Sequence, residues 1–134
     1  QGLLMLIIIL STIFISDIAA YFFGNIFGGP KLFSSVSPNK TLSGFIAAFI
    51  LGILWFILLT LNFSNSFNFK NIFVGFGIVL LSILGDLFIS SLKRKANMKD
   101  TGFFIPGHGG FLDRCDSLLL STIFIFIPFY FNFI

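Results

Sequence analysis

Four apolar runs, at about residues 3–23, 43–61, 72–92 and 118–134, decide the solvent this chain folds in. Each is long enough to cross a bilayer as an α-helix, which takes roughly 17–25 residues. Hydrocarbon offers no water to backbone N–H and C=O groups, so a lone apolar run there must bond to itself as a helix. The expectation is an all-α, polytopic integral membrane protein with about four transmembrane helices. The whole of 1–134 is expected to form a single transmembrane region, with no soluble domain and no internal repeat visible. Pro128 interrupts the fourth run, which a membrane helix tolerates where neighbours satisfy the freed carbonyl. Composition agrees: 57% of residues are hydrophobic and 10% charged, against about a quarter charged in a soluble domain. The chain begins at Gln1 and runs straight into an apolar stretch, as expected of the C-terminal part of a longer protein. No basic stretch precedes residue 3, so a signal peptide is not expected.

The polar residues are concentrated. The window 85–117 holds Asp86, Asp100, Asp113 and Asp116, four of the five acidic residues, and Lys93, Arg94, Lys95, Lys99 and Arg114, five of the eight basic ones. It also holds the one His, His108. A net charge of +3 is too small for a nucleic-acid footprint, and one Cys excludes an internal disulfide. Basic loops stay on the cytoplasmic side. Loop 24–42 carries Lys31 and Lys40, loop 93–117 carries the basic cluster, and loop 62–71 carries only Lys70. Four spans place the two richer loops together in the cytoplasm, where the lipid bilayer meets water.

Two carboxylates fall inside apolar runs, Asp17 and Asp86. A charged side chain within hydrocarbon costs about 2.5–3.5 kcal/mol on insertion scales, so each should face protein or water. For Asp17 the plain alternative is a wet position at the interface. In the predicted topology both lie near the cytoplasmic ends of their helices and can converge with the two polar loops. In loop 24–42, Gly24, Gly28, Gly29 and Pro30 are expected to break the first helix. Thr41 or Ser43 is expected to cap the next. Gly44, Ala47, Ala48 and Gly52 share one helical face, the spacing of close helix packing.

Asp86, Asp113 and Asp116 offer carboxylate oxygens, which suit a hard cation such as Mg²⁺ held together with substrate phosphates. His108 and Cys115 make a poor zinc set without other soft ligands, and no Walker A pattern is present. Basic side chains meet phosphate oxygens, and Pro106-Gly107-His108-Gly109-Gly110 is expected to form a tight turn whose N–H groups can approach a ligand. Ser37, Lys40 and Thr41 at a helix start also suit a phosphate, although capping alone explains the hydroxyls. A basic loop after a membrane helix is ordinarily a topology signal or a lipid contact. That reading covers Lys93, Arg94 and Lys95, but not the aspartates and the Gly-His-Gly-Gly turn. Together the residues point to phosphoryl or nucleotidyl transfer, where positioning and charge stabilisation do most of the work.

Residues 90–116 resemble the phosphatidate cytidylyltransferase family. Ser90, Lys93, Arg94, Lys99, Asp100, Gly102, Pro106, His108, Gly109, Gly110, Asp113, Arg114 and Asp116 fall on the family's motif without a gap. Asp17 to Gly24, Ser37 to Thr41 and Gly85-Asp86-Leu87 are similar too, so the likeness covers nearly the whole chain, but only the C-terminal half of a typical member. Cys115, Ile89, Asn39 and Ser43 depart from the usual residues. The resemblance implies transfer of a cytidylyl group from CTP to phosphatidate, giving CDP-diacylglycerol and pyrophosphate, with Mg²⁺. It implies catalytic roles for Asp86, Lys99, Asp100, His108, Asp113, Arg114 and Asp116, with Asp86, Asp113 and Asp116 on the metal. Substrate contacts would come from Ser37, Lys40, Thr41, Ser90, Lys93, Arg94, Gly109 and Gly110. It further implies a homodimer in a bacterial inner membrane. Two alternatives stand beside it: a CTP-dependent lipid-alcohol kinase or a cytidylyltransferase for another lipid, and a non-enzymatic transporter lined by Asp17 and Asp86.

Overall fold

The structure, a computed structural model, describes residues 2–32, 37, 40–64 and 69–96. Three helices carry it: α1 (Gly2–Phe27), α2 (Leu42–Ser64) and α3 (Phe69–Lys95). All three are long and apolar enough to cross a membrane. Among the described residues there is no strand, and Lys31 and Thr41 form one isolated antiparallel bridge. The fold is therefore all-α and of membrane type. The fourth apolar run, 118–134, lies outside the described residues.

Each helix runs past the stretch its hydropathy marks. α1 continues to Phe27, so Gly24 does not break it. The turn comes at Gly28 (φ 58°) and Gly29 (φ 107°), left-handed conformations that glycine adopts without a Cβ clash. Gly24 serves packing instead, since a Cβ there would lie 2.9 Å from Thr41 Oγ1 and 3.6 Å from the Gly44 Cα. Most of the expected 62–71 loop is helical as well, because α2 reaches Ser64 and α3 starts at Phe69. Lys70 thus sits in the first turn of α3. Lys93, Arg94 and Lys95 form that helix's last turn rather than a loop, where cations complement the helix dipole.

Small residues set the helix approach. A Cβ on Gly44 would collide with the Ala20 carbonyl, so the backbones of α1 and α2 touch there. A Cβ on Gly52 would stand 2.6 Å from Val79 Cγ2 and 3.1 Å from Ser16 Cβ, which brings all three helices together. Gly75 receives the ring of Phe56. These contacts run the helices antiparallel in sequence, with α2 the shared neighbour of α1 and α3. One apolar cluster joins Ile8, Ile9, Ile13, Phe56, Val74 and Ile78. A second joins Ala48, Val79 and Ile83, flanked by Phe45, Phe49 and Leu87.

Most buried hydroxyls bond within the bundle, as a nonaqueous medium favours, while that of Ser82 on α3 is buried without a hydrogen-bond partner among the described residues. Thr12 donates to the Ile8 carbonyl at 2.7 Å and Ser16 to the Ile13 carbonyl at 2.8 Å. The Trp55 indole N–H donates to Ser11 Oγ at 3.2 Å, tying α2 to α1. Asn71 Nδ2 donates to Thr60 Oγ1 at 3.4 Å, tying α3 to α2. The outer faces stay apolar: Ile7, Phe14, Ile18, Leu54, Leu58 and Phe73 are all exposed. Such a surface suits lipid.

Candidate active site

The site begins with the way α1 gives over to α2. The Gly28 N–H bonds back to the Gly24 carbonyl at 3.1 Å, which closes α1. The chain then returns on itself, with the Leu42 N–H on the Pro30 carbonyl at 3.0 Å and the Leu32 N–H on the Lys40 carbonyl at 2.9 Å. Thr41 caps α2, its Oγ1 accepting from the Gly44 N–H at 3.3 Å. Ser43 donates to the Gly28 carbonyl instead, fastening the first turn of α2 to the end of α1. Of the two candidate caps, Thr41 takes the role.

This pinned connection aims Lys40 across the bundle. Its ammonium pairs with Asp86 Oδ2 on α3, and Ser90 donates to the other oxygen, Asp86 Oδ1, at 3.3 Å. Around the pair lies a cavity of about 290 Å³. Asp17 and Tyr21 line it from α1, Ser37, Lys40 and Thr41 from the loop and cap, and Asp86 from α3. Ala20, Gly44 and Ala48 supply small walls. The two carboxylates that sit within apolar runs therefore share one cavity with the first polar loop, and the amino end of α2, with its positive dipole, borders it.

Of the expected site residues, Ser37, Lys40, Thr41 and Asp86 meet at the cavity, and Ser90 joins through Asp86. Lys93 and Arg94 lie in the last turn of α3 and are not among the residues lining the cavity. Lys99, Asp100, His108, Gly109, Gly110, Asp113, Arg114 and Asp116 lie outside the described residues. Asp17 lines the cavity too, as expected of a carboxylate converging with the polar loops, although the resemblance gave it no catalytic or substrate-binding role; Tyr21 lines it without a role assigned from sequence. Asp17 carried a signal, the cost of a carboxylate in hydrocarbon. Tyr21 carried only its place in the family-like stretch from Asp17 to Gly24, one turn further along α1.

The donor set can be tested against a hard cation. The side-chain oxygens of the residues lining the cavity are those of two carboxylates, Asp17 and Asp86, and of the hydroxyls of Tyr21, Ser37 and Thr41, with Ser90 behind Asp86. No sulfur or imidazole takes part among the described residues. An oxygen-only set of this kind fits Mg²⁺. The described residues contain no cluster of three or more His, Cys, Asp or Glu side chains, so they would supply part of a coordination shell.

Comparison with known proteins completes the picture. The cytidylyltransferase family matches residues 1–132. A Helicobacter pylori protein named phosphatidate cytidylyltransferase is 36% identical over 130 residues, covering 97% of this chain and 48% of its own length. Proteins of the same name from Haemophilus influenzae and Rickettsia conorii are each 40% identical, over 137 and 120 residues. These alignments cover 98% and 83% of this chain and 47% and 51% of the relatives. The chain thus spans about half the length of the curated relatives it matches. A match running through all three helices and the cavity they enclose shows that this chain belongs to the cytidylyltransferase family.

Proposed function

We propose that this chain carries the site for cytidylyl transfer from CTP to phosphatidate, producing CDP-diacylglycerol and pyrophosphate. One observation carries the reading: a cavity at the ends of membrane-length helices that joins a loop lysine, a helix amino end and two intramembrane carboxylates. The names of the relatives supply the substrates.

In this reading a lipid phosphate oxygen attacks the α-phosphorus of CTP. A new P–O bond forms there, and the bond to the β-phosphate oxygen breaks, releasing pyrophosphate. A phosphate monoester with a second pKa near 6 is largely dianionic at neutral pH, so the attacking oxygen needs no base. Lys40, with the Ser37 and Thr41 hydroxyls and the amino end of α2, neutralises and orients phosphate oxygens. Lys93, Arg94, Lys99 and Arg114 add positive charge for the triphosphate or the lipid phosphate. Gly109 and Gly110 offer backbone N–H groups, and His108 contacts phosphate or cytidine. Asp86, Asp113 and Asp116 would hold Mg²⁺, and Asp100 is assigned a catalytic role by the family resemblance. Bound there, the ion supplies charge neutralisation to the triphosphate.

Basic loops support a cavity that opens to the cytoplasm, and bacterial relatives support the inner membrane as the location. A homodimer is the proposed assembly, supported by family resemblance.

The test is product formation from CTP and phosphatidate by the chain in lipid nanodiscs. Pyrophosphate release together with CDP-diacylglycerol is expected. Release of CDP with a phosphorylated lipid alcohol would overturn the assignment in favour of a kinase.

A further inference from the structure

Lys40 and Asp86 face a contradiction. The proposed function gives Asp86 a divalent cation and Lys40 a phosphate, yet the two side chains hold each other. An ammonium on Oδ2 opposes a cation at that oxygen by charge, and Ser90 takes one lone pair of the other. A lysine paired with a carboxylate likewise offers a phosphate less net positive charge, although N–H donors remain. The pair is open to water, with 29% and 33% of the two side chains exposed, so ions and ligand can reach it.

We propose that the Lys40–Asp86 pair is a resting-state lock whose opening couples binding of a divalent cation to binding of a polyphosphate. This rests on the proposed function and specifies how that site is filled. With Asp17, Asp86 and Lys40 the lining of the cavity sums to −1, which disfavours a polyanion arriving alone. A cation arriving alone would displace Lys40 and leave two positive groups side by side. A polyphosphate arriving alone would take Lys40 and leave it facing two carboxylates. Arriving together, the ligands give each side chain a new partner of opposite charge. The backbone need not move, because the Lys40 carbonyl is bonded to the Leu32 N–H and Thr41 is fixed as the cap. Exchange requires only that the Lys40 side chain swing from α3 to the ligand. Coupling of this kind is reciprocal, so either ligand must strengthen the other by the same factor.

The experiment uses the chain in nanodiscs with Mn²⁺ and inorganic pyrophosphate as probes. Mn²⁺ affinity is read by electron paramagnetic resonance at matched free Mn²⁺, with and without pyrophosphate, for wild type, Lys40→Met, Lys40→Arg and Asp86→Asn. In wild type, pyrophosphate should tighten Mn²⁺ binding within the roughly 5–150-fold range of coupled sites. Lys40→Met should bind Mn²⁺ alone more tightly than wild type and lose most of the pyrophosphate effect. Lys40→Arg, which keeps the charge, should retain weak binding of Mn²⁺ alone. Equal or weaker binding of Mn²⁺ alone by Lys40→Met, or an undiminished pyrophosphate effect in it, would overturn the lock. If Asp86→Asn still removed Mn²⁺ binding in that case, the proposed function would stand without it. Mn²⁺ binding indifferent to Asp86→Asn would overturn both.

Discussion

Asp86 takes bonds from two directions, Lys40 of the loop and Ser90 one turn further along its own helix. Removing its charge while keeping its shape isolates its role. Asp86→Asn should lower turnover by at least about 100-fold, the scale of losing one preorganised electrostatic group, with thermal stability little changed because the side chain is a third exposed. Wild-type turnover in that variant would contradict the assignment. Asp17 is open to the same cavity from α1. Asp17→Asn brings the summed charge of the lining from −1 to zero and should weaken divalent-cation affinity, read by Mn²⁺ titration, while leaving the melting temperature near wild type. Both carboxylates were legible in the sequence, since an aspartate in an apolar run needs protein or water around it. The partnership of Asp86 with Lys40 was not, because it joins residues far apart in the chain and depends on where the loop is pinned.

The three described helices lie over apolar runs evident from hydropathy, but their ends do not follow hydropathy. Gly24 resembles a helix breaker in sequence, yet it lies within α1 because it gives Thr41 and Gly44 room to approach. Glycine suits a turn and a close backbone crossing for the same reason, the absence of a Cβ. Only the packing distinguishes the two uses. Of the face read as Gly44, Ala47, Ala48 and Gly52, the structure buries Gly44, Ala48 and Gly52, while Ala47 is only half-buried. Thr41→Ala removes the cap of α2 and should cost about 1 kcal/mol, seen as a lower melting temperature in detergent. Gly44→Leu should do far more harm, since its Cβ alone would meet the Ala20 carbonyl. Loss of the monodisperse folded peak on size exclusion is expected, and a wild-type profile would contradict the contact between α1 and α2.

At the scale of the molecule, membrane-length helices and charged loops place polar chemistry at one end of an apolar bundle. In the proposed function, a lipid substrate would reach the cavity from within the membrane and a nucleotide from water. That arrangement predicts a sidedness: in a Cys115→Ser background, Lys31→Cys should react with an impermeant thiol reagent in inverted vesicles and not in intact cells. The measurement that bears most directly on the central claim is CTP binding to the chain in nanodiscs, with and without Mg²⁺, with ATP as competitor and Asp86→Asn as control. Binding that requires Mg²⁺, prefers CTP over ATP and disappears in Asp86→Asn is the predicted result. Binding that is indifferent to the base, or that survives loss of the Asp86 charge, would contradict a cytidylyl-transfer site built around this cavity.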